Sequence, residues 1–332
     1  MDELLKNREF FEQELAKRHL LDFLRALWRE VEAESFEEAL YHAYLCEEVQ
    51  KVILWACFPK TQPEDAYDLV INVAPGTGKS SIISKFGPVW AWLKNPNLRI
   101  IASSYSAPAT KSFTTKFQML MLSDKFRRFF PKMILKEENV QSQTNNYKGV
   151  RYATSTNGTI TGLHGDLIIV DDHNQPPNID MDDNGNIRVG KIPLLTDIRS
   201  GNSWHDSVLI TRKRIPKFSR AIYVQQRVHA VDLSGYLLKK AKKGGINVKH
   251  IVLPAFIDKK NKAYEEKYID GEIVERKELD HLYQEGLLDP IRLPRKVLTK
   301  MERGMSTQVF NAQYMQRPTG DVAGLIKPSY FK

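Results

Sequence analysis

The 332-residue sequence predicts an α/β fold: a mostly parallel sheet with helices on both faces, behind a helical N-terminal lead-in. Three observations predict it. From Tyr67 onward, apolar runs short enough for buried strands alternate with helical stretches, the pattern of repeated βα units. One run, Asp68–Leu69–Val70–Ile71–Asn72–Val73, passes into a turn bearing Gly76 and Gly78 and then into Lys79–Ser80. Another, Leu167–Ile168–Ile169–Val170, is apolar at every position, as a strand covered on both faces must be, and ends on Asp171–Asp172.

Residues 1 to 56 hold no proline or glycine, and Leu20, Leu21, Phe23, Leu24, Leu27 and Trp28 recur at helical spacing. Phe58–Asp65, with Pro59 and Pro63, reads as a connecting loop. A strand over Asp68–Val73 precedes a helix from Lys79 to Leu93, and a strand over Arg99–Ser103 precedes a helix over Ala107–Leu122. Short strands follow at Val150–Ala153 and Gly158–Thr161, leading into Leu167–Val170. Then come a helix near Leu194–Ser200, a strand over Arg220–Gln226, a helix over Asp232–Lys243 and a strand over His250–Leu253. The resulting divisions are a lead-in at 1–60, a core at 61–255, a C-terminal subdomain or lid at 256–318, and a linker at 319–332.

Hydrophobic content of 42% and charged content of 27% are those of an ordinary soluble globular chain. The net charge of +9 favours a polyanionic partner. Cys46 and Cys57 are too few for a disulfide framework and point to a reducing compartment. No leader opens the sequence and no apolar run approaches the ~18 residues of a membrane span, so no membrane partner is expected.

The two motif-bearing strands carry the chemistry. Glycines in the turn Pro75–Gly76–Thr77–Gly78 let backbone N–H groups close around a β-phosphate. Lys79 then reaches the β/γ oxygens, and the Ser80 hydroxyl holds Mg²⁺. Val73 stands where the usual G-x-x-x-x-G-K-[ST] motif begins with glycine. Asp171, at the carboxyl end of its strand, is positioned to hold Mg²⁺ through water. Asp172 is positioned to polarise the water that attacks the γ-phosphate. The plainer alternatives are an ordinary strand-to-helix turn and a solvated aspartate pair. Both motifs in this order favour an ATPase using ATP and Mg²⁺.

The irregular segment His173–Lys191 matches a calcium loop at Asp180, Asp182, Asn184, Gly185 and Ile187, but Lys191 occupies the bidentate glutamate position. A polar hairpin turning at Asn184–Gly185 is the better reading. His164 and His173 read as polar loop residues, and no zinc constellation is present. Two basic clusters, Arg212/Lys213/Arg214/Lys217/Arg220 and Lys239/Lys240/Lys242/Lys243, are candidates for phosphate contact or for solvated faces.

Beyond Asp172 the run Ala221–Gln226 continues into Arg227–Val228–His229, then Asp232–Leu233–Ser234–Gly235, and later Leu253–Pro254–Ala255. Together with Trp90–Ala91–Trp92 and Phe310–Asn311–Ala312–Gln313–Tyr314–Met315–Gln316–Arg317–Pro318, this order resembles the ATPase domain of tailed-bacteriophage terminase large subunits. The resemblance spans roughly Asp68 to Phe331.

The resemblance implies a P-loop fold of the ASCE, RecA-like type, with one strand between the Walker A and Walker B strands. It implies a homo-oligomeric ring around double-stranded DNA at a portal protein, a small terminase subunit as partner, and work in the infected host's cytoplasm. It places Lys79 and Ser80 in Walker A, Asp171 in Walker B, Asp172 as the catalytic carboxylate, and Gln226 in a coupling motif that senses the γ-phosphate. Many terminases carry an arginine within the Walker A loop, and none lies between Val73 and Ser80. Arg151, Arg199, Arg212, Arg214 and Arg227 are the candidates for that charge, in cis or from a neighbour. Full terminases continue into a nuclease; Gly320–Lys332 reads as the linker toward one, so no nuclease activity is expected of this chain. A helicase of another P-loop family and a slowly turning nucleotide switch are the alternatives.

Overall fold

The computed structural model describes residues 2–160, 162–177, 179–181, 187–189 and 193–319. The expected turn at Asn184–Gly185, the calcium-loop positions Asp182 and Lys191, and the linker Gly320–Lys332 lie outside them.

The lead-in is three helices, α1 (Asp2–Arg18), α2 (Leu20–Leu27) and α3 (Leu40–Cys57). Strand β1 (Asp68–Val73) follows, and after the glycine turn a π-helical stretch over Ser81–Phe86 runs into α4 (Gly87–Lys94). Then come β2 (Arg99–Ser104), α5 (Ala107–Leu122), α6 (Asp124–Phe129), β3 (Leu135–Glu138), β4 (Ser142–Asn145), β5 (Val150–Ser155) and β6 (Leu167–Asp171). A small hairpin pairs β7 (Ile179–Met181) antiparallel with β8 (Ile187–Val189), consistent with the polar-hairpin reading. The rest is α7 (Leu195–Trp204), β9 (Arg220–Gln225), α8 (Leu233–Ala241), β10 (Val248–Leu253), β11 (Tyr264–Ile269), β12 (Glu272–Glu278), α9 (Arg295–Gly304) and α10 (Thr307–Gln313).

The main sheet runs β12-β11-β10-β1-β9-β6-β2-β5-β4-β3. The six inner strands from β10 to β5 are mutually parallel, and the two at each edge are antiparallel. β9 lies between β1 and β6, so the two motif-bearing strands are next-nearest neighbours. This is the mostly parallel α/β sheet of the sequence reading, with the strand order of an ASCE P-loop core.

Alternation along each inner strand divides the core. Leu69, Ile71, Val73, Leu167, Ile169, Ile222 and Val224 face one side; Val70, Ile168, Val170, Ala221 and Tyr223 face the other. The lead-in packs into the first side rather than standing apart. Trp28 stacks on Phe86 at 5.6 Å, and Trp90 Nε1 donates to the Ala16 carbonyl at 3.2 Å. Helices α7 and α8 cover the second side through Trp204, Leu233 and Leu237. A third cluster joins Ala74, at the end of β1, to Leu287, Leu293, Leu298, Val309 and Phe310 of the C-terminal segment.

Local chemistry sets several boundaries. Ser106 caps α5, accepting from Ala109 N, with Pro108 in the first turn where a missing N–H costs nothing. Asp232 caps α8, accepting from Gly235 N. One expectation is corrected. Gly158–Ile160 is not a strand: Thr156 N bonds back to Ser104 O, Gly158 N bonds to Ser155 O, and Asn157 takes a φ of 64°, so the chain turns after β5. The helix expected from Lys79 does begin there and runs to Lys94, with a π-helical stretch over Ser81–Phe86 inside it, in which Gly87 N reaches Ile82 O.

Candidate active site

Every inner strand ends at the same edge of the sheet, and the site is assembled there. After β1 the chain passes through Gly76 at φ 77° and Gly78 at φ 73°, a left-handed region that glycine enters without a Cβ penalty. Thr77 Oγ1 donates to the Ala74 carbonyl at 2.8 Å and closes the turn. The Thr77 carbonyl is held from outside. The Tyr41 hydroxyl lies 2.8 Å from it and 3.0 Å from Asp289 Oδ2, one proton between two acceptors. His42 Nε2 lies 3.2 Å from the same carbonyl, while His42 Nδ1 accepts from Ala39 N at 2.9 Å. That acceptor role places the imidazole proton on Nε2, where it donates to Thr77. Burial, reinforced by Arg292, lowers the His42 pKa to about 4, so the ring is neutral. Arg292 Nη1 completes the clamp, donating to Asp289 Oδ2 and to the Glu37 carbonyl, both at 2.8 Å. The loop is thus tied to the lead-in and to the C-terminal segment together.

Ser80 Oγ donates to Asp171 Oδ1 at 3.0 Å, and Ser84 Oγ, one turn on, donates to Asp171 Oδ2 at 2.5 Å. Asp171 is 1% exposed. Burial first, then the charge of Asp172, pushes its pKa up to about 6, against the opposing pull of Lys79 and the two serines. A hydroxyl and a carboxylate oxygen at one point form the hard-oxygen set that Mg²⁺ takes together with water and phosphate. These two residues fit the ion. Among the described residues no cluster of three or more His, Cys, Asp or Glu offers a metal site of another kind.

Asp172 continues the ladder, donating its N–H to the Val224 carbonyl at 2.9 Å, yet its φ is 45°. A non-glycine residue in that region is strained, and such strain collects at functional sites. The turn directs the carboxylate back over the loop. Its Oδ2 lies 3.4 Å from Lys79 Nζ, and its Oδ1 accepts from Gln226 N at 3.1 Å. Gln226 Oε1 is buried and has no hydrogen-bond partner among the described residues. All the sequence-predicted site residues, from Pro75 to Ser80 with Asp171, Asp172 and Gln226, therefore meet at the ends of β1, β6 and β9.

Beneath them runs a buried polar relay that the sequence reading missed. His250 Nε2 donates to Asn72 Oδ1 at 2.8 Å, so its proton too is fixed by an acceptor. Asn72 Nδ2 donates to the Gln225 carbonyl at 3.2 Å and to Ser234 Oγ at 2.8 Å; Gln225 Nε2 donates to the same Ser234 oxygen at 2.6 Å. Burial lowers the His250 pKa to about 3, so the relay is uncharged. It joins β10, β1 and β9 to α8. On the other face Glu32 receives Ser81 Oγ at 2.9 Å, Lys85 Nζ at 2.8 Å and Lys116 Nζ, which pins the π-helical stretch.

The candidate arginines separate. Arg151 is buried at the start of β5, bonded to Thr114 and Gln143 and lying 4.9 Å over the Phe117 ring; burial lowers its pKa to about 10. Arg227 is held by both Asp232 oxygens, at 3.0 and 2.9 Å. Arg212 and Arg214 lie at the opposite edge of the sheet, beside Gly165 and Asp166. Arg199 is exposed on α7. His164 is exposed, as expected of a loop residue, but His173 is buried against the Trp204 ring at 6.0 Å, and its pKa falls to about 3 through burial.

No family model matches the sequence, and no curated protein matches it. Similar solved structures include the HK97 bacteriophage large terminase, at a TM-score of 0.35 and 17% identity over 58% of this chain. The large terminase of a thermophilic bacteriophage, in complex with ADP, has a TM-score of 0.26 and 9% identity over 79% of this chain and 74% of that one. The chain spans 36% of the HK97 protein's length.

Proposed function

We propose that this chain is an ATP-hydrolysing motor that translocates double-stranded viral DNA into a procapsid, the ATPase of a terminase large subunit. One observation carries the nucleotide part: a Walker A lysine and a tandem aspartate from separate strands meet, with Lys79 Nζ 3.4 Å from Asp172 Oδ2. The DNA-packaging part rests on the ordered motifs from Trp90 to Pro318.

The geometry supports the following roles. The turn from Pro75 to Gly78 wraps the β-phosphate with backbone N–H groups. Lys79, ion-paired with Asp172 at rest, turns to the β/γ oxygens when nucleotide arrives and frees the Asp172 carboxylate. Asp172 then orients the attacking water and takes its proton. Ser80 and Asp171 hold Mg²⁺, which neutralises charge on the phosphate oxygens. Gln226, whose backbone N–H already touches Asp172, reads the γ-phosphate by way of the attacking water, whose O–H its unpartnered amide oxygen accepts. The transition-state charge is completed by an arginine of a neighbouring subunit in a homo-oligomeric ring. That ring works with a portal protein and a small terminase subunit in the host cytoplasm.

The test is Mg²⁺-dependent ATP hydrolysis with and without duplex DNA, alongside a strand-displacement assay. A motor hydrolyses ATP, responds to duplex DNA and separates no strands. Strand separation would indicate a helicase, and binding without turnover a switch.

A further inference from the structure

The first basic cluster singled out in the sequence is largely engaged by the protein itself; in the second Lys240 is paired, while Lys239, Lys242 and Lys243 are exposed with no carboxylate partner among the described residues. Lys213 Nζ donates to both oxygens of Asp68 at 2.9 and 2.6 Å, and Arg214 lies 3.4 Å from Asp166. Lys240 pairs with Asp206 at 2.6 Å, and Arg220 is buried with Lys217 O at 2.9 Å. Asp68 opens β1, so this chemistry sits at the edge of the sheet opposite the nucleotide site.

Helix α9 stands instead at the nucleotide end of the sheet. Its sequence, Arg-Lys-Val-Leu-Thr-Lys-Met-Glu-Arg-Gly, buries Leu298 and packs Met301 on the C-terminal cluster, leaving Arg295, Lys296, Lys300 and Arg303 exposed. Among the described residues no carboxylate pairs with Arg295, Lys296 or Arg303; Arg295 lies 4.5 Å over the Phe256 ring. These cations border a groove of about 800 Å³ whose other wall is Ile187 of β8. The hairpin approaches so closely that a Cβ on Gly304 would lie 2.7 Å from Ile187 Cδ1. The helix also stands on the nucleotide loop. Leu298 and Met305 share a cluster with Ala74 and Leu293, and Leu293 Cδ2 lies 3.9 Å from where a Gly76 Cβ would be.

We infer that the exposed face of α9 grips the phosphate backbone of duplex DNA. This rests on the DNA-motor reading above and gives it a surface. Exposed cations with no internal carboxylate release the most counterions on binding a polyanion, whereas ion-paired ones must first break their pairs. Long, flexible side chains on phosphates read no base sequence, as a translocating grip requires. Because α9 shares its packing with the end of β1, a change in the loop's occupancy reaches the grip through Leu293.

The test is anisotropy of labelled random-sequence duplex DNA with the full chain across a salt series. Lys296→Gln/Arg303→Gln leaves Arg295 on its ring; a triple variant adds Arg295→Gln. The slope of log affinity against log salt should fall by about 0.9 per lost phosphate contact, so by about 2 and about 3. Affinity at low salt should drop at least about tenfold, with DNA-free ATP turnover unchanged. Lys239→Gln/Lys242→Gln/Lys243→Gln, at lysines that lie just before the start of β10 and so at the end of the sheet away from the nucleotide loop, should stay within about twofold of the parent. Parent-like slopes in the α9 variants, or a loss confined to the lysine-cluster variant, would overturn the assignment. A chain that hydrolyses ATP but binds no duplex DNA would overturn it while leaving the nucleotide site intact. DNA binding that falls as expected in a chain without turnover would uphold the grip and remove the ATPase.

Discussion

The two edges of one parallel sheet carry the same residue types in opposite conditions. At the strand starts, Asp68 is held by Lys213, at 2.6 Å, and by Ala221 N at 2.8 Å, while Asp166 is met by Arg214 and by Arg99 N at 3.1 Å. At the strand ends, Asp171 carries a raised pKa, Asp172 sits at positive φ, Gln226 keeps an unpartnered oxygen, and Lys79 is only loosely paired at 3.4 Å. A structural charge is satisfied and relaxed; a charge kept for a ligand is left strained and incompletely paired. The contrast locates the chemistry more sharply than the count of charged residues does.

The largest effect should come from removing the lysine placed to meet phosphate. Lys79→Ala is expected to abolish ATP hydrolysis and weaken nucleotide binding, measured by phosphate release and by titration calorimetry. Near-normal turnover would sink the phosphate-loop assignment.

Second is the missing loop arginine. Arg151 and Arg227 are committed to internal partners, so the charge is expected in trans, with Arg199, Arg212 and Arg214 tested singly. Turnover per subunit should rise with protein concentration, and an inactive arginine-to-alanine subunit should poison mixed rings beyond its mole fraction. Such fingers are worth about 10³–10⁵ in rate. A rate that stays flat from dilute chain to assembled ring would place the charge in cis.

At the opposite edge the expectation reverses. Lys213→Met breaks a buried ion pair and should cost about 3–5 kcal/mol in a denaturant titration. Turnover per folded molecule should barely change. A loss of kcat larger than the loss of folded protein would show that the two edges are not separate in function.

The smallest effect is a pH dependence. The folded-state pKa of Asp171, about 6, lies above the ordinary 3.8. The folded chain therefore holds this proton more tightly than the unfolded chain, and stability is lost as pH rises from about 4 through about 6. Asp171→Asn removes that penalty. Without nucleotide it should be the more stable protein above pH 6, by on the order of 3 kcal/mol, with the advantage vanishing below pH 4. Thermal midpoints at the two ends of that range check the sign.

Much of the inner sheet was legible because burial on both faces favours apolar residues at most positions. Asp68–Val73 matches its predicted bounds for this reason, and Ala107–Leu122 does so with Ser106 as its cap. The edge strands β3, β4, β11 and β12 were not legible. Leu-Lys-Glu-Glu and Glu-Ile-Val-Glu-Arg-Lys-Glu show no apolar face, since only one flank pairs and most side chains meet water. The site residues declared themselves through short-range order in the chain. Their supports did not: Tyr41 and Asp289 meet across 248 positions, which no local pattern encodes. Asn72 did leave a signal, a lone amide inside an otherwise apolar strand, and its relay to Ser234 explains it.

The division of labour between the adjacent aspartates is the heart of the account, and one paired measurement tests it: Mg-ATP affinity and turnover for Asp172→Asn beside Asp171→Asn. Asp172→Asn should bind Mg-ATP like the parent while hydrolysis falls by about 10²–10⁴, because the amide keeps the shape and loses the basicity. Asp171→Asn should instead lose the Mg²⁺-dependent part of binding. Equal loss of binding in both variants, or full turnover in Asp172→Asn, would contradict it.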